Sequence, residues 1–359
     1  MHIPDGYLSP STCVTLYAFA ASGWYSALNR VRRLLATRMI PLISVFAAFS
    51  FVVMMFNIPL PGGTTGHALG VTVAAIVLGP SGSILAVSIA LAIQALFFGD
   101  GGITTLGANC FNMAIVGSVV AYGVYCLIAG KSEVGARRRA FAAAIAGYVS
   151  INAAALLTAF EFGIQPTLFH DASGTPLYAP YPLHVAVPAM MIGHLTLAGL
   201  AEAVISAGLV SYLQSSDIGL LRGIQGFPGM PGVANSVEDP SPVRLWWIVG
   251  FLMLCTPLGI LAAGTAWGEW SSADLGNPAA RVQIEASSGN RAAPSSVPAG
   301  LQKLSAIWTA PFPGYAPRFV KSAGFGYILS AMFGVGLLLL AALIATRIAN
   351  GLGKWESRS

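Results

Sequence analysis

The chain has 359 residues, 55% of them hydrophobic and only 9% charged, with a formal net charge of +5. Soluble domains carry about 25% charged residues, so a water-soluble fold is excluded. Several apolar runs exceed the roughly 20 residues that span a bilayer. They show no period-two alternation, which excludes a β-barrel, and in such a chain the basic excess reports orientation rather than nucleic-acid binding.

The expected fold is an all-α integral membrane protein of about nine transmembrane helices. The first is read at 10–28 and the second at 39–60. A short third, 67–79, is followed after GPSG by a fourth at 83–98. The fifth covers 106–129, the sixth 139–160 and the seventh 183–213. The Gly/Pro-rich stretch 217–242 has no apolar period and reads as a cytoplasmic linker. Two further helices, 243–264 and 325–348, enclose a polar loop at 265–323. The division is therefore a transmembrane bundle at 1–216, a linker at 217–242 and a two-helix unit at 243–359.

Basic residues give the sidedness. Arg30, Arg32, Arg33 and Arg38 follow the first helix, and Lys131, Arg137, Arg138 and Arg139 follow the fifth. Arg222 and Arg244 flank the linker, and Arg347, Lys354 and Arg358 end the chain. With nine crossings all of these share one side, which the positive-inside rule makes cytoplasmic. The remaining Lys and Arg lie in 265–323. The N-terminus is then outside and the C-terminus inside. Across the first seven helices the outer side holds Asp5, Asp100, Glu161 and Asp171, with four of the five histidines (His2, His67, His170 and His184) and no fixed positive charge. Such a surface attracts cations.

The opening MHIPDG has no positively charged region before the first apolar run and no small-residue cleavage pattern, so Met1 is expected to be retained. A free N-terminal residue followed by histidine offers one metal three nitrogens: the Met1 amine, the His2 backbone nitrogen and the His2 Nδ1. They close a five- and a six-membered chelate ring in one plane, with loss of the amide proton. Planar nitrogen ligation suits Ni(II) or Cu(II) better than Zn(II) or Mg(II), and binding weakens as pH falls. Pro4 and Asp5-Gly6 stiffen this segment into a hook.

His67, after the glycine-rich GGTTG, is the candidate fourth donor. FFGDGG (97–102) and GANCFNM (107–113) place Asp100, Asn109 and Asn112 as candidate partners that orient an imidazole. His194 and Glu202 are polar residues within an apolar helix, read as functional groups, interhelical hydrogen bonds or partner contacts. His170 and His184 read as solvated. Cys13, Cys110, Cys126 and Cys255 stand singly and read as free thiols. No catalytic constellation is present. AGKSE at 129–133 has Tyr125 where a phosphate loop needs glycine, so energy for uphill transport must come from another subunit or an ion gradient.

MHIPDGYLSP, GGTTGHALG, FFGDGGITTLGANCFNM and GHLTLAGLAEA resemble the substrate-binding membrane component of nickel/cobalt energy-coupling-factor transporters, the CbiM/NikM family, over about residues 1–215. SPVRLWWIVGFLMLCTPLGILAAGTAWGEW and GYAPRFVKSAGFGYILSAMFG resemble the small two-helix auxiliary component of the same systems, fused here. The resemblance implies that Met1, His2 and His67 hold the metal. It also implies that a separate transmembrane coupling subunit and cytoplasmic ATPases supply energy in the bacterial inner membrane. Small residues at four-residue spacing (Ala18, Ser22, Gly117, Ala121) would let helices slide against that partner. Ni2+ is the expected cargo and Co2+, for cobalamin supply, its alternative, with no resident cofactor. A permease driven by an ion gradient and a membrane metal sensor are the competing readings.

Overall fold

The computed structural model describes residues 1–32, 39–221 and 243–356. Arg33, Arg38, Arg222, Arg358 and most of the expected linker 217–242 lie outside the described residues. Its first residues, Ile218–Leu221, form a helical turn with Leu220 and Leu221 buried.

Helix α1 spans Pro10–Arg32. Ser9 caps it, its hydroxyl accepting from Thr12 N at 3.2 Å, with Pro10 at the first position where a missing N–H costs nothing. Helix α2, Met39–Met54, is buried on almost every side and ends six residues before its expected end at 60. The reason is Pro59 and Pro61: each biases the residue before it away from helix and donates no hydrogen bond. The chain instead forms a small antiparallel hairpin, β1 (Ile58–Leu60) with β2 (Thr64–Gly66), turned by Gly62 and Gly63 at positive φ.

Helix α3 is assigned continuously over Val71–Phe98, but Gly79 sits at φ 72°, ψ 168°, a region essentially closed to other residues. The Ser83 hydroxyl donates to Val71 O at 3.3 Å. In one straight helix those residues would be about 18 Å apart, so the chain reverses at Gly79-Pro80 into two antiparallel arms, as GPSG suggested. The first arm begins at Val71 rather than 67, because the N–H groups of Leu69 and Gly70 are turned to the Glu202 carboxylate.

Helices α4 (Leu106–Ala129), α5 (Arg137–Leu168) and α6 (Leu183–Ser216) complete the first bundle. Gly147 lets α5 and α6 approach closely, since a Cβ there would lie 2.8 Å from Ser206 Oγ. Single π-helical stretches occur at Gln94–Phe98, Cys110–Val116 and His194–Ala198. Such stretches often mark functional sites, and each of these carries a buried polar residue: Gln94, Asn112 and His194.

Helix α7 (Val243–Leu261) and α8 (Ala323–Glu356) pack on the α2 edge. Gly259 sits against Met55 O and Gly334 against the Phe51 ring, both too close for a Cβ. Between them the expected loop carries three short helices, Ser272–Gly276, Pro278–Ser287 and Ala299–Leu304. It lies across the first bundle through Gly300 N to Leu177 O, Phe312 N to Phe97 O and a bridge between Thr65 and Ala266. Among the described residues six helices, α3 to α8, are long and apolar enough to cross a membrane, and α2 is a shorter apolar helix.

Gly79→Ala tests the reversal. It forces a side chain into a glycine-only conformation at a cost of about 1–3 kcal/mol, read as a lower melting temperature in detergent. Unchanged stability would show that a continuous helix is accessible there.

Candidate metal centre

The N-terminal hook is fixed residue by residue. Ile3 N donates to Asn109 Oδ1 at 2.8 Å, and Ile3 O accepts from Asn109 Nδ2 at 3.1 Å and Gly102 N at 2.9 Å. The Asp5 carboxylate accepts from Ile103 N, Thr104 N and the Thr104 hydroxyl. Gly6 supplies the turn at φ 90°. Tyr7 OH donates to Trp270 O at 2.7 Å and Tyr7 O accepts from Ala179 N. Gly101 and Gly102 are required by proximity: a Cβ on Gly102 would lie 2.4 Å from Asp5 N, and one on Gly101 2.9 Å from Asn109 Nδ2.

This anchoring buries Met1 and His2 beside His67. His67 Nε2 lies 3.3 Å from His2 Nδ1, with the rings 4.9 Å apart. His67 Nδ1 donates to Ala68 O at 3.0 Å, which leaves the Nε2 lone pair facing His2. Burial, reinforced by the His2 and N-terminal charges, pushes the His67 imidazole well below its ordinary range. It is therefore neutral at neutral pH and able to ligate. The loop that carries it is held from below, where Glu202 Oε2 accepts from Leu69 N at 2.7 Å and Gly70 N at 3.0 Å.

Two carboxylates close the site. Glu269 Oε1 accepts from both the Met1 ammonium and the His2 amide, each at 2.8 Å. Asp100 Oδ1 lies 2.9 Å from His2 Nδ1, and Asp100 Oδ2 accepts from Tyr315 OH at 2.6 Å. Burial works against the Asp100 charge, but His2 and the Tyr315 hydroxyl overrule it and hold the carboxyl below the usual range. Tyr315 stacks on Phe98 at 4.7 Å, and Trp267 packs against Phe162, Tyr181 and Trp270. The segment between α7 and α8 is thus a roof of aromatic rings with two polar tips.

Met1, His2 and His67 are brought together as the motif spacing suggested, and Asp100 joins them. Asp100 touches the nitrogen that the chelate itself would use and so faces the site rather than supporting it from behind, while His2 Nε2 is buried with no partner among the described residues. Asn109 holds the Ile3 backbone and no imidazole. Asn112 is turned away, donating to Glu161 Oε2 at 2.8 Å and Thr158 Oγ1, because the π-helical register points it toward α5. Glu161, read from sequence as an outer carboxylate, is buried there. His194 bonds Met190 O in its own helix at 2.8 Å, with Nε2 buried and unpartnered among the described residues. His170 and His184 are exposed. Glu269 and Tyr315 were missed. The usable signal for Glu269 was a single carboxylate inside the aromatic run WGEW.

Fold and site together define a class: a multi-pass membrane protein with a nitrogen-rich cage at its N-terminus, roofed by a second part of the same chain. Residues 2–219 match the family described as the cobalt uptake substrate-specific transmembrane region, CbiM, and residues 242–351 match the PDGLE domain. The chain belongs to this family, with the two parts fused. It is 51% identical over 339 residues to a fused nickel transport protein, NikMN, of Rhodobacter capsulatus, covering 94% of this chain and 95% of that one. It is 38% identical to a probable fused nickel transport protein, LarMN, of Lactiplantibacillus plantarum, over 95% of this chain and 96% of that one. A crystal structure described as a transition metal transporter is 51% identical with a TM-score of 0.57, covering 60% of this chain and 92% of that one.

Asn109→Ala removes both side-chain bonds to Ile3 and should loosen the hook. Losing a group that orients ligands typically weakens metal binding about 10–100-fold, measurable by calorimetric Ni2+ titration of the purified protein. Wild-type affinity would mean that Asn109 does not hold the ligands in place.

Proposed function

We propose that this chain is the substrate-capture component of an ATP-driven energy-coupling-factor importer for a transition-metal cation, with Ni2+ as cargo. The observation that carries the reading is the convergence of four nitrogens in one buried place. His2 Nδ1 and His67 Nε2 are 3.3 Å apart, and the Met1 and His2 backbone nitrogens share one carboxylate oxygen at 2.8 Å. In a planar complex the Met1 amine, His2 backbone nitrogen and His2 Nδ1 would take three adjacent corners, and His67 Nε2 the fourth. Planar nitrogen ligation favours Ni(II) over Co(II). The fused nickel transport relatives support the same cargo. Co2+ is the second reading, because a family member at 33% identity from Lachnoclostridium phytofermentans is named a cobalt transport protein.

The expected setting is a bacterial cytoplasmic membrane crossed nine times, with the N-terminus outside and the C-terminus inside. The two reversing arms of α3 and the placement of Arg30, Lys131, Arg137–Arg139 and Arg244 support that path. The chain divides into the bundle 1–216, the cytoplasmic linker 217–242 and the auxiliary unit 243–359. AGKSE, with Tyr125 in place of glycine, gives no phosphate loop, so ATP hydrolysis belongs to separate ATPase subunits acting through a transmembrane coupling subunit.

The decisive test alters the terminus and nothing else. One residue inserted between Met1 and His2, or an N-acetyl cap, should abolish metal uptake in cells that contain the partner subunits. Uptake at the wild-type rate would overturn the chelate. In the unmodified protein, excess Ni2+ should suppress uptake of labelled metal more strongly than excess Co2+, and the reverse order would favour cobalt.

A further inference from the structure

The nitrogens and oxygens of the centre differ in how they meet solvent. The side chains of Met1 and His2 are 0% and 1% exposed, whereas Asp100 and Glu269 are 18% and 19% exposed. His67 is buried. A cation arriving from the outer solution therefore meets two carboxylates before it meets any nitrogen of the chelate. His2, Asp100 and Glu269 offer ligand atoms that all lie within 4.8 Å of one another. Opposite donors on a six-coordinate cation such as Mg2+ are about 4 Å apart, from bond lengths of about 2.0–2.1 Å, so this trio can close on one ion by small side-chain movements.

The two donor sets also suit different states of the ion. A hydrated divalent cation is six-coordinate and accepts carboxylate oxygens and an imidazole readily. The planar nitrogen set asks it to shed water and asks the His2 amide for its proton. We propose that Asp100, Glu269 and the His2 imidazole form a capture site for a hydrated, six-coordinate divalent cation, from which the ion passes inward to the buried nitrogens. In capture, carboxylate oxygens replace bound waters, which return to solution. In transfer, nitrogens replace those oxygens, one proton from the Met1 ammonium and one from the His2 amide leave to solvent, and the hydrogen on His2 Nδ1 passes to the unpartnered Nε2. Asp100 comes from the turn between α3 and α4 and Glu269 from the segment after α7, so the capture site is complete only when both fused parts are present. Tyr315 and Gln94 hold Asp100 in place by hydrogen bonds of 2.6 Å and 3.5 Å.

This inference rests on reading the N-terminal nitrogens as the final site, and the test separates the two. Mn2+ is the probe, since it favours oxygen donors and lies at the weak-binding end of the first-row order for nitrogen sites. Binding to the full chain in detergent is followed by the loss of the free-ion EPR signal. The unmodified protein should bind one Mn2+ per chain, displaceable by Ni2+. Asp100→Asn and Glu269→Gln should each weaken Mn2+ by about tenfold or more, as removal of ligand charge does, and should slow Ni2+ association. His67→Ala should keep Mn2+ binding unchanged while its Ni2+ affinity falls by about tenfold or more, to that of the capture site alone. Equal Mn2+ binding in wild type and the double variant, no Mn2+ binding at all, or loss of Mn2+ in His67→Ala would overturn the capture site. His67→Ala that keeps Mn2+ and also keeps the wild-type Ni2+ affinity would instead sink the planar chelate and leave the capture site standing. Should a variant not fold, the unmodified protein decides: Mn2+ must slow Ni2+ association, and an unaffected rate refutes a shared first step.

Discussion

An ammonium group with no exposed surface needs a neutralising partner, and in this protein the partner comes from the far end of the sequence. Glu269 Oε1 accepts from the Met1 amine and the His2 amide at once. Hydrogen bonds to a charged group contribute about 1.5–3 kcal/mol each when buried, and leaving the ammonium unpaired costs far more. That constraint couples the two fused parts. The roof must sit where Glu269 reaches Met1 and His2.

The rest of the centre follows the same rule, in which each loop that carries a functional group is fastened by a carboxylate or amide from elsewhere. Asp5 collects the N–H groups of Ile103 and Thr104. Asn109 pairs with the Ile3 backbone as a neighbouring strand would. Glu202, deep in α6, receives the free N–H groups ahead of the first arm of α3 and so fixes the His67 loop. Open backbone groups cannot be left to lipid, so irregular segments at this depth are tolerated only because side chains satisfy them. Among the polar residues inside apolar helices, Glu202 and Asn109 serve this need.

The same economy explains why the centre is rigid. Gly101 and Gly102 allow the hook and the α3–α4 turn to touch backbone to backbone, and the aromatic roof closes over them with Tyr315 on Phe98 and Trp267 on Phe162. A cage held at so many points presents its nitrogens without first having to order them, which lowers the entropy cost of binding.

Much of this protein was legible in one dimension. Composition determined the membrane class, MHIPDG and His67 offered the candidate nitrogens that the fold brings together, and GPSG marked the reversal in α3, because these depend on local chemistry and short spacing. Helix ends were less legible: α2 stops at Met54 because Pro59 and Pro61 act together with a glycine pair, a competition that apolar runs alone conceal. Asn112 was misplaced because a π-helical stretch shifts which face a residue presents, and Glu161 because its helix runs on to Leu168 instead of ending at 160. Glu269 and Tyr315 lie more than two hundred residues from the groups they touch. No local pattern carries such a pairing, so the sequence by itself determined which atoms could hold a metal, and only the tertiary structure decided which carboxylates stand at the mouth.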